Sequence, residues 1–356
     1  MDFAEPRQPL RVHGGIDLAE LKTLGVSPTE VLDLSVNVNP YGPSPAVMEA
    51  IRAARVDQYP DPSAVAVREA IAARAGVPLE QVVFGAGAAD LLWTLARALL
   101  SPGRRLLIVE PAFSELRAAA AQTGADVRAW RTGPEQEFRI DLDAVADAAL
   151  EVRADLVALC APSSPAGAPV AVHDVAHLAQ RLSGKLVLLD ESFLALSDRA
   201  EDLARPLPEN VLRLRSLTKA HAIPGLRAGY LLAPTAIARS VERGRPAWST
   251  SSLAQAAALT ALGEEAFVER SRLRLRADRE AIAAGLQALG LRPIPSVAPY
   301  LVFPAGDAAA LRRRLLARGV LVRDCASFGL PAFVRVAARP AADRARLLNA
   351  LSEELR

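Results

Sequence analysis

Lysine is nearly absent from this chain of 356 residues: of 42 basic side chains, only Lys22, Lys185 and Lys219 are lysines. Arginine serves wherever a plain cation is wanted. A retained primary amine therefore points to amine chemistry, because a guanidinium stays protonated and is a poor nucleophile. Cysteine is almost as scarce. Cys160 and Cys325 lie far apart, which excludes a disulfide framework and makes a reducing cytoplasm the expected location. No apolar run approaches the roughly 18 residues of a membrane-spanning helix. The start, M-D-F-A-E-P-R-Q, has no apolar stretch behind a basic segment, so no signal peptide is expected. Neither sign of charge is in excess. A formal charge of +2, with acids and bases intermixed, leaves no footprint for nucleic acid or a membrane surface.

The composition, 51% hydrophobic and 23% charged, is that of a globular protein. The length fits two domains or one large α/β unit. Residues 1–45 are rich in Pro, Asn, Gly and Ser and read as an extended arm, with turns at Asn39-Pro40 and Gly42-Pro43. Short apolar runs then alternate with helical stretches. Strands are expected at 82–84, 106–109, 127–130, 156–160, 186–189, 211–214 and 229–233, and helices at 90–100, 113–122 and 172–182. Continuous apolar strands separated by helices predict an α/β fold with a mostly parallel seven-stranded sheet over residues 46–245. Ligands of such sheets bind beyond the carboxyl ends of the strands. A long helical stretch, roughly 252–289, leads into strands at 300–303, 320–323 and 333–337, a smaller α+β domain spanning 246–356.

The chemistry-bearing residues cluster where the expected strands end. Gly85-Ala86-Gly87-Ala88-Ala89-Asp90 opens a helix, and its glycines and helix N-terminus suit an anion, although a glycine turn without ligand has the same look. Phe113 follows one strand end and reads either as an aromatic plate or as core. Asp190 ends another strand; it is a helix cap or a buried carboxylate that needs a cationic partner. The run S-L-T-K-A-H-A-I-P-G-L-R delivers Ser216, Thr218, Lys219 and, eight residues on, Arg227. An amine, an anion cradle, a stacking face, a carboxylate and an arginine together are what pyridoxal 5'-phosphate requires.

At this point the chain resembles the fold-type-I pyridoxal-phosphate enzymes, from His13 to about Leu348. The motifs are H-G-G at 13–15, L-D-L-S-V-N-V-N-P-Y-G-P at 32–43, Y-P-D-P at 59–62, D-E-S-F at 190–193, the lysine run, and R-D-C-A-S-F-G-L at 323–330. Within that superfamily it looks most like the branch of threonine-phosphate decarboxylase of cobalamin synthesis, a near relative of histidinol-phosphate aminotransferase. The resemblance implies that Lys219 forms the imine and Asp190 pairs with the pyridine nitrogen. It places Phe113 on the ring and Ser216, Arg227, Gly87 and Ala88 around the cofactor phosphate. Tyr59 would reach that phosphate from the other subunit of a homodimer with shared sites. Arg335 would bind the substrate carboxylate. For the far, phosphorylated end of the substrate the candidates are His13, Arg323 and Arg339, with Asn37 and Asn39 as neutral donors; a structural role for His13 is equally open. No metal is expected.

Five positions depart from the pattern of the resemblance. Ser164, in A-P-S-S-P-A-G, stands where an asparagine donates to the cofactor's phenolic oxygen. Ala86 and Ala89 leave the phosphate to backbone amides. His221 replaces an aromatic residue, and Phe193 replaces the tyrosine common in aminotransferases. The missing hydroxyl at Phe193 sets the expectation: a lyase that decarboxylates L-threonine O-3-phosphate to (R)-1-aminopropan-2-yl phosphate. An aminotransferase acting on histidinol phosphate or another amino acid is the alternative. A non-catalytic module is the reading from another class, and retention of Lys219, Asp190, Arg227 and Arg335 argues against it.

Overall fold

The computed structural model describes residues 13–355. The arm holds helix α1 (Leu18–Leu24) and strand β1 (Leu32–Asp33). The large unit runs α2 (Pro45–Ala53), α3 (Val65–Ala75), β2 (Val82–Gly85), α4 (Gly87–Leu99), β3 (Arg105–Glu110), α5 (Glu115–Gln122), β4 (Asp126–Arg131) and α6 (Leu142–Glu151). It continues through β5 (Leu156–Cys160), α7 (Val172–Arg181), β6 (Leu186–Asp190), β7 (Val211–Ser216), α8 (Leu217–Ala220), β8 (Gly229–Leu232) and α9 (Thr235–Arg243). After α10 (Ser252–Ala261) and α11 (Glu265–Ala288) come β9 (Tyr300–Pro304), α12 (Ala308–Ala317), β10 (Val320–Leu321), β11 (Arg323–Cys325), β12 (Leu330–Ala337) and α13 (Ala341–Glu354).

The expected seven-stranded sheet is present, in the order β2-β8-β7-β6-β5-β3-β4. All neighbours pair in parallel except β8, which is antiparallel to both β2 and β7. Its strands are apolar on both faces because helices cover both. Leu106, Ile108, Leu188 and Leu212 pack against α4 and α5, while Leu107, Val157, Val187 and Leu189 pack against α6 and α7. This is the α/β architecture of the fold-type-I enzymes.

Two stretches differ from the sequence reading. The arm is not wholly extended: α1 forms between the Asp17 cap, whose carboxylate accepts from the amides of Ala19 and Glu20, and Gly25 at φ +68. The long helix is broken at 262–264 into α10 and α11. Ala257, Ala258 and Ala261 of α10 share a core with Ile71 of α3 and Phe84 of β2, whereas the core of the small unit begins with Ile282 and Leu286 of α11. That small unit is the antiparallel sheet β11-β12-β9 covered by α11, α12 and α13. The arm is tied to it: β1 pairs in parallel with β10, and Leu34 is buried in its core.

Candidate active site

Strands β3, β5, β6 and β7 run the same way, so the residues that follow them emerge at one edge of the sheet. A cavity of about 300 Å³ lies there, roofed by the arm and the small unit. His13, Asn37, Ala88, Phe113, Ser164, Asp190, Phe193, Lys219, Arg227, Arg323 and Arg335 all line it. A larger groove of about 740 Å³ runs along Arg213, Arg215 and Tyr230, but those two arginines are already paired with Glu191.

Lys219 sits on α8, a single helical turn at the end of β7. Its Nζ donates to Ser216 Oγ at 3.2 Å and lies 5.4 Å from the ring centroid of Phe193. Burial holds the amine well below the ordinary lysine range; the charge of Asp190 opposes this and that of Arg227 adds to it. Asp190 is pushed the other way. Burial raises its carboxyl, countered by a hydrogen bond from Ser192 and by Lys219. The Ser192 amide fixes the carboxylate, donating to Oδ1 at 2.9 Å. A desolvated amine and a desolvated acid thus share one cavity, the arrangement that functional sites use to displace pKa values.

The corner beside Lys219 is built for an anion. Helix α4 begins at Gly87 with no side-chain cap, leaving first-turn N–H groups and the positive end of the helix dipole facing outward. Gly87 adopts φ +87, and a Cβ there would stand 2.6 Å from Arg227 Nη2. The glycine therefore lets the guanidinium close over the helix end. Ser216 Oγ and Thr218 Oγ1, 2.6 Å apart, complete the corner. Phe113 forms a wall, with the ring of His13 5.4 Å away.

The opposite end is cationic. Arg323 and Arg335 are register partners on β11 and β12, and both guanidiniums lie over the Phe328 ring, at 5.5 and 5.7 Å. Burial lowers the pKa of each, and for Arg323 the charge of Arg335 adds to this. Arg335 Nη2 donates to Ser35 O at 3.0 Å while its buried Nε has no partner. Neither amide atom of buried Asn37 has a partner either. Buried polar groups are rarely left so; a bound polar molecule would satisfy them.

Not every expected residue comes to the cavity. Arg339 does not line it: its guanidinium donates to the carbonyls of Val38 at 3.0 Å and Asp33 at 2.7 Å, so it braces the arm. Asn39 likewise faces backbone, its Nδ2 donating to Ala220 O at 2.9 Å. Tyr59 is 80% exposed and stacks on Trp248 at 4.7 Å, outside the cavity of its own chain. His13 reaches the rim, with Nε2 2.8 Å from Glu115 Oε1. The sequence reading missed Cys160, register partner of Asp190, whose thiol burial pushes up. It also missed Tyr300, whose hydroxyl donates to Ser163 O at 2.8 Å. Cys160 ended an expected strand, which was its only signal; Tyr300 had none beyond its place in one.

Residues 29–353 match the family described as aminotransferase class I and II. The histidinol-phosphate aminotransferase 1 of Dechloromonas aromatica is 34% identical, covering 98% of this chain and 96% of its own length. The histidinol-phosphate aminotransferase of Symbiobacterium thermophilum is 35% identical, covering 92% and 91%. Among solved structures, histidinol-phosphate aminotransferase from Sinorhizobium meliloti in complex with pyridoxal-5'-phosphate superposes with a TM-score of 0.84 at 26% identity, covering 95% of this chain and 94% of that one. These matches overturn the expected decarboxylation of threonine phosphate, together with the lyase chemistry and the cobalamin setting. Phe193 is a poor guide to reaction type for a physical reason. Its ring is a wall between Lys219 Nζ and the edge of Tyr300, 5.1 Å away, and a wall lacking one hydroxyl does not decide which substrate bond is aligned.

Proposed function

The chain belongs to the aminotransferase class I and II family, and we propose that it is a pyridoxal-phosphate aminotransferase whose amino donor carries a phosphate, of the histidinol-phosphate kind. The observation that carries this reading is the polarity of the cavity: Lys219 and an anion corner at one end, Arg323 and Arg335 at the other. The cofactor supplies an electron sink for a carbanion. Ser216, Arg227 and the amides of Gly87 and Ala88 would hold its phosphate, Phe113 would stack on its ring, and Asp190 would keep its ring nitrogen protonated. Ser164, 7% exposed and lining the cavity, would offer a hydroxyl toward the phenolic oxygen.

Lys219 has two tasks here. The burial that lowers its pKa favours the free amine, the form able to attach the cofactor, and the same Nζ, when not so attached, would move a proton at the donor's α-carbon. Arg323 and Arg335 hold the donor's anionic end and so set its orientation. Two cations side by side in one buried wall suit a dianion, which favours a phosphate. Asn37 faces the same space as a neutral donor and acceptor.

A dimer belongs to the same reading. Tyr59 and Trp248, exposed at 80% and 49%, present an apolar pair with ring centroids 4.7 Å apart, and Val56, 74% exposed, precedes Tyr59 in the same loop. Its backbone is fixed by Ser252 Oγ donating to Arg55 O and Gln255 Nε2 to Asp61 O. Tyr59 is thus free to reach the anion corner of a second copy.

The test is glutamate formation from 2-oxoglutarate by purified protein with pyridoxal phosphate and histidinol phosphate. Glutamate that requires both substrates is the expected result. If histidinol phosphate is inert while other donors yield glutamate, the phosphate reading fails and the aminotransferase stands.

A further inference from the structure

We propose that Asn39 is a positioning residue for Lys219, gripping from the arm the single helical turn on which the lysine sits. The inference rests on the assignment of Lys219 as the reactive amine. Helix α8 has four residues, and the last four carbonyls of any helix lack partners within it; here that is the whole element. His221 N closes Leu217 O at 3.2 Å and Ile223 N closes Thr218 O at 3.1 Å. The other two carbonyls depend on a residue far away in the chain. Asn39 N donates to Lys219 O at 3.0 Å, whereas the local amide of Ala222 lies at 3.4 Å. Asn39 Nδ2 donates to Ala220 O at 2.9 Å. One residue, 2% exposed, thus caps the turn twice, through its backbone amide at Lys219 O and its side chain at Ala220 O.

The orientation of this grip is itself fixed. Asn39 Oδ1 accepts from Tyr41 N at 3.1 Å, which turns the NH₂ toward Ala220. The Tyr41 hydroxyl donates to Asp278 of α11, and Arg274 lies 3.5 Å from the centroid of its ring. On the other side, Arg339 holds Val38 O and Asp33 O, and Arg335 holds Ser35 O. The arm is a strap between the small unit and the lysine turn, and Asn39 is its contact with the lysine. No other side chain donates to the carbonyls of Lys219 or Ala220 in the hydrogen bonds of the described residues. Without the amide, the turn can shift and Nζ can reach water, although the groups that face it (Asp190 from β6, Cys160 from β5 and Arg227 beyond α8) are unchanged.

The experiment uses the small number of lysines. Full-length protein stripped of cofactor is acylated with acetic anhydride over a pH series, and the modification of Lys22, Lys185 and Lys219 is read by peptide mass spectrometry. The amine reacts only when unprotonated, so the labelling midpoint reports its pKa, with Lys22 and Lys185 as internal references. In Asn39→Ala the Lys219 midpoint should rise by roughly half to one pH unit, the scale of one buried hydrogen bond. With the loaded enzyme, kcat should fall about tenfold through misplacement of the amine, with KM little changed. Asn39→Ser, which keeps an acceptor for the Tyr41 amide but cannot reach Ala220 O, serves if the alanine variant does not fold. A variant with the wild-type urea transition and an unmoved Lys219 midpoint overturns the proposal. Failure of the wild-type protein to take up pyridoxal phosphate would instead sink the functional reading, and the labelling result would stand apart from it.

Discussion

Arg323 and Arg335 are Cα partners across β11 and β12, and their guanidiniums share the ring of Phe328 at one end of the cavity. Arg335 braces Ser35 O as well as facing the cavity, so its removal should be read in both binding and stability. Arg335→Met should lower kcat/KM for a phosphorylated donor by about 2–4 kcal/mol, on the order of 10²-fold or more. The thermal midpoint should fall modestly, because the hydrogen bond to Ser35 O is lost as well. Steady-state kinetics and a melting curve on the same preparation check both halves; an unchanged kcat/KM would remove Arg335 from the substrate site.

Gly87 and Arg227 give a second prediction. Alanine at 87 would have to hold φ +87 and displace Arg227 Nη2 from 2.6 Å. The strain alone costs roughly 1 kcal/mol or more, and the displaced guanidinium weakens the anion corner further. Gly87→Ala should therefore lose pyridoxal phosphate on dialysis while keeping the wild-type far-ultraviolet circular dichroism. Retention of the cofactor at wild-type affinity would place its phosphate elsewhere.

His221 predicts a pH dependence of stability. Burial, with the charge of Arg74 adding to it, lowers its pKa to about 4, and its Nδ1 has no partner. As pH falls below 6.5 the unfolded chain takes up a proton that the folded chain refuses until about pH 4. Stability is thus lost as pH falls through that window, by roughly 3 kcal/mol once below it. His221→Phe abolishes this loss and leaves no orphan nitrogen, so urea unfolding should show a gain that is larger at pH 4.5 than at pH 7. An equal gain at both would mean that the folded imidazole titrates normally.

Much of this was legible in the sequence because it depends on local pattern. The apolar strands, with catalytic types placed just after them, bring Lys219, Asp190, Phe113 and Arg227 to one edge, and that much is readable from local pattern. What escaped depends on distant contacts. Arg339 carries the charge expected of a phosphate ligand, but its partners are carbonyls some 300 positions away, and nothing in its neighbours announces them. The break at 262–264 is weakly marked, by Gly263 alone, because α10 and α11 are each helix-forming; α10 leaves to pack Ala257 and Ala258 in the core of Phe84. The reversed direction of β8 is not written in its apolar residues, which read like those of its parallel neighbours. Reaction type was least legible, since Phe193 reports one wall of the cavity and not the alignment of the substrate.

Glu191, beside Asp190, is the strongest stability prediction. It is 3% exposed and receives Arg213 through Nη2 at 2.6 Å and Nε at 3.0 Å, and Arg215 through Nε at 2.7 Å. Its carboxylate is the common acceptor of two guanidiniums that are themselves nearly buried, at 11% and 12% side-chain exposure. Its own amide donates to Leu214 O at 2.8 Å, so the same residue locks the end of β6 onto β7 just where Asp190 is presented. Glu191→Gln keeps the shape but leaves two buried cations facing a neutral amide. Breaking such a group from one side costs about 3–5 kcal/mol, whereas replacing every member with apolar residues is often close to neutral. Urea unfolding of Glu191→Gln should therefore show a loss of that order, and the triple change of Glu191, Arg213 and Arg215 to leucine should recover most of it. If the single variant loses less than about 1 kcal/mol, water reaches the cluster and the pairs are worth only what surface pairs are.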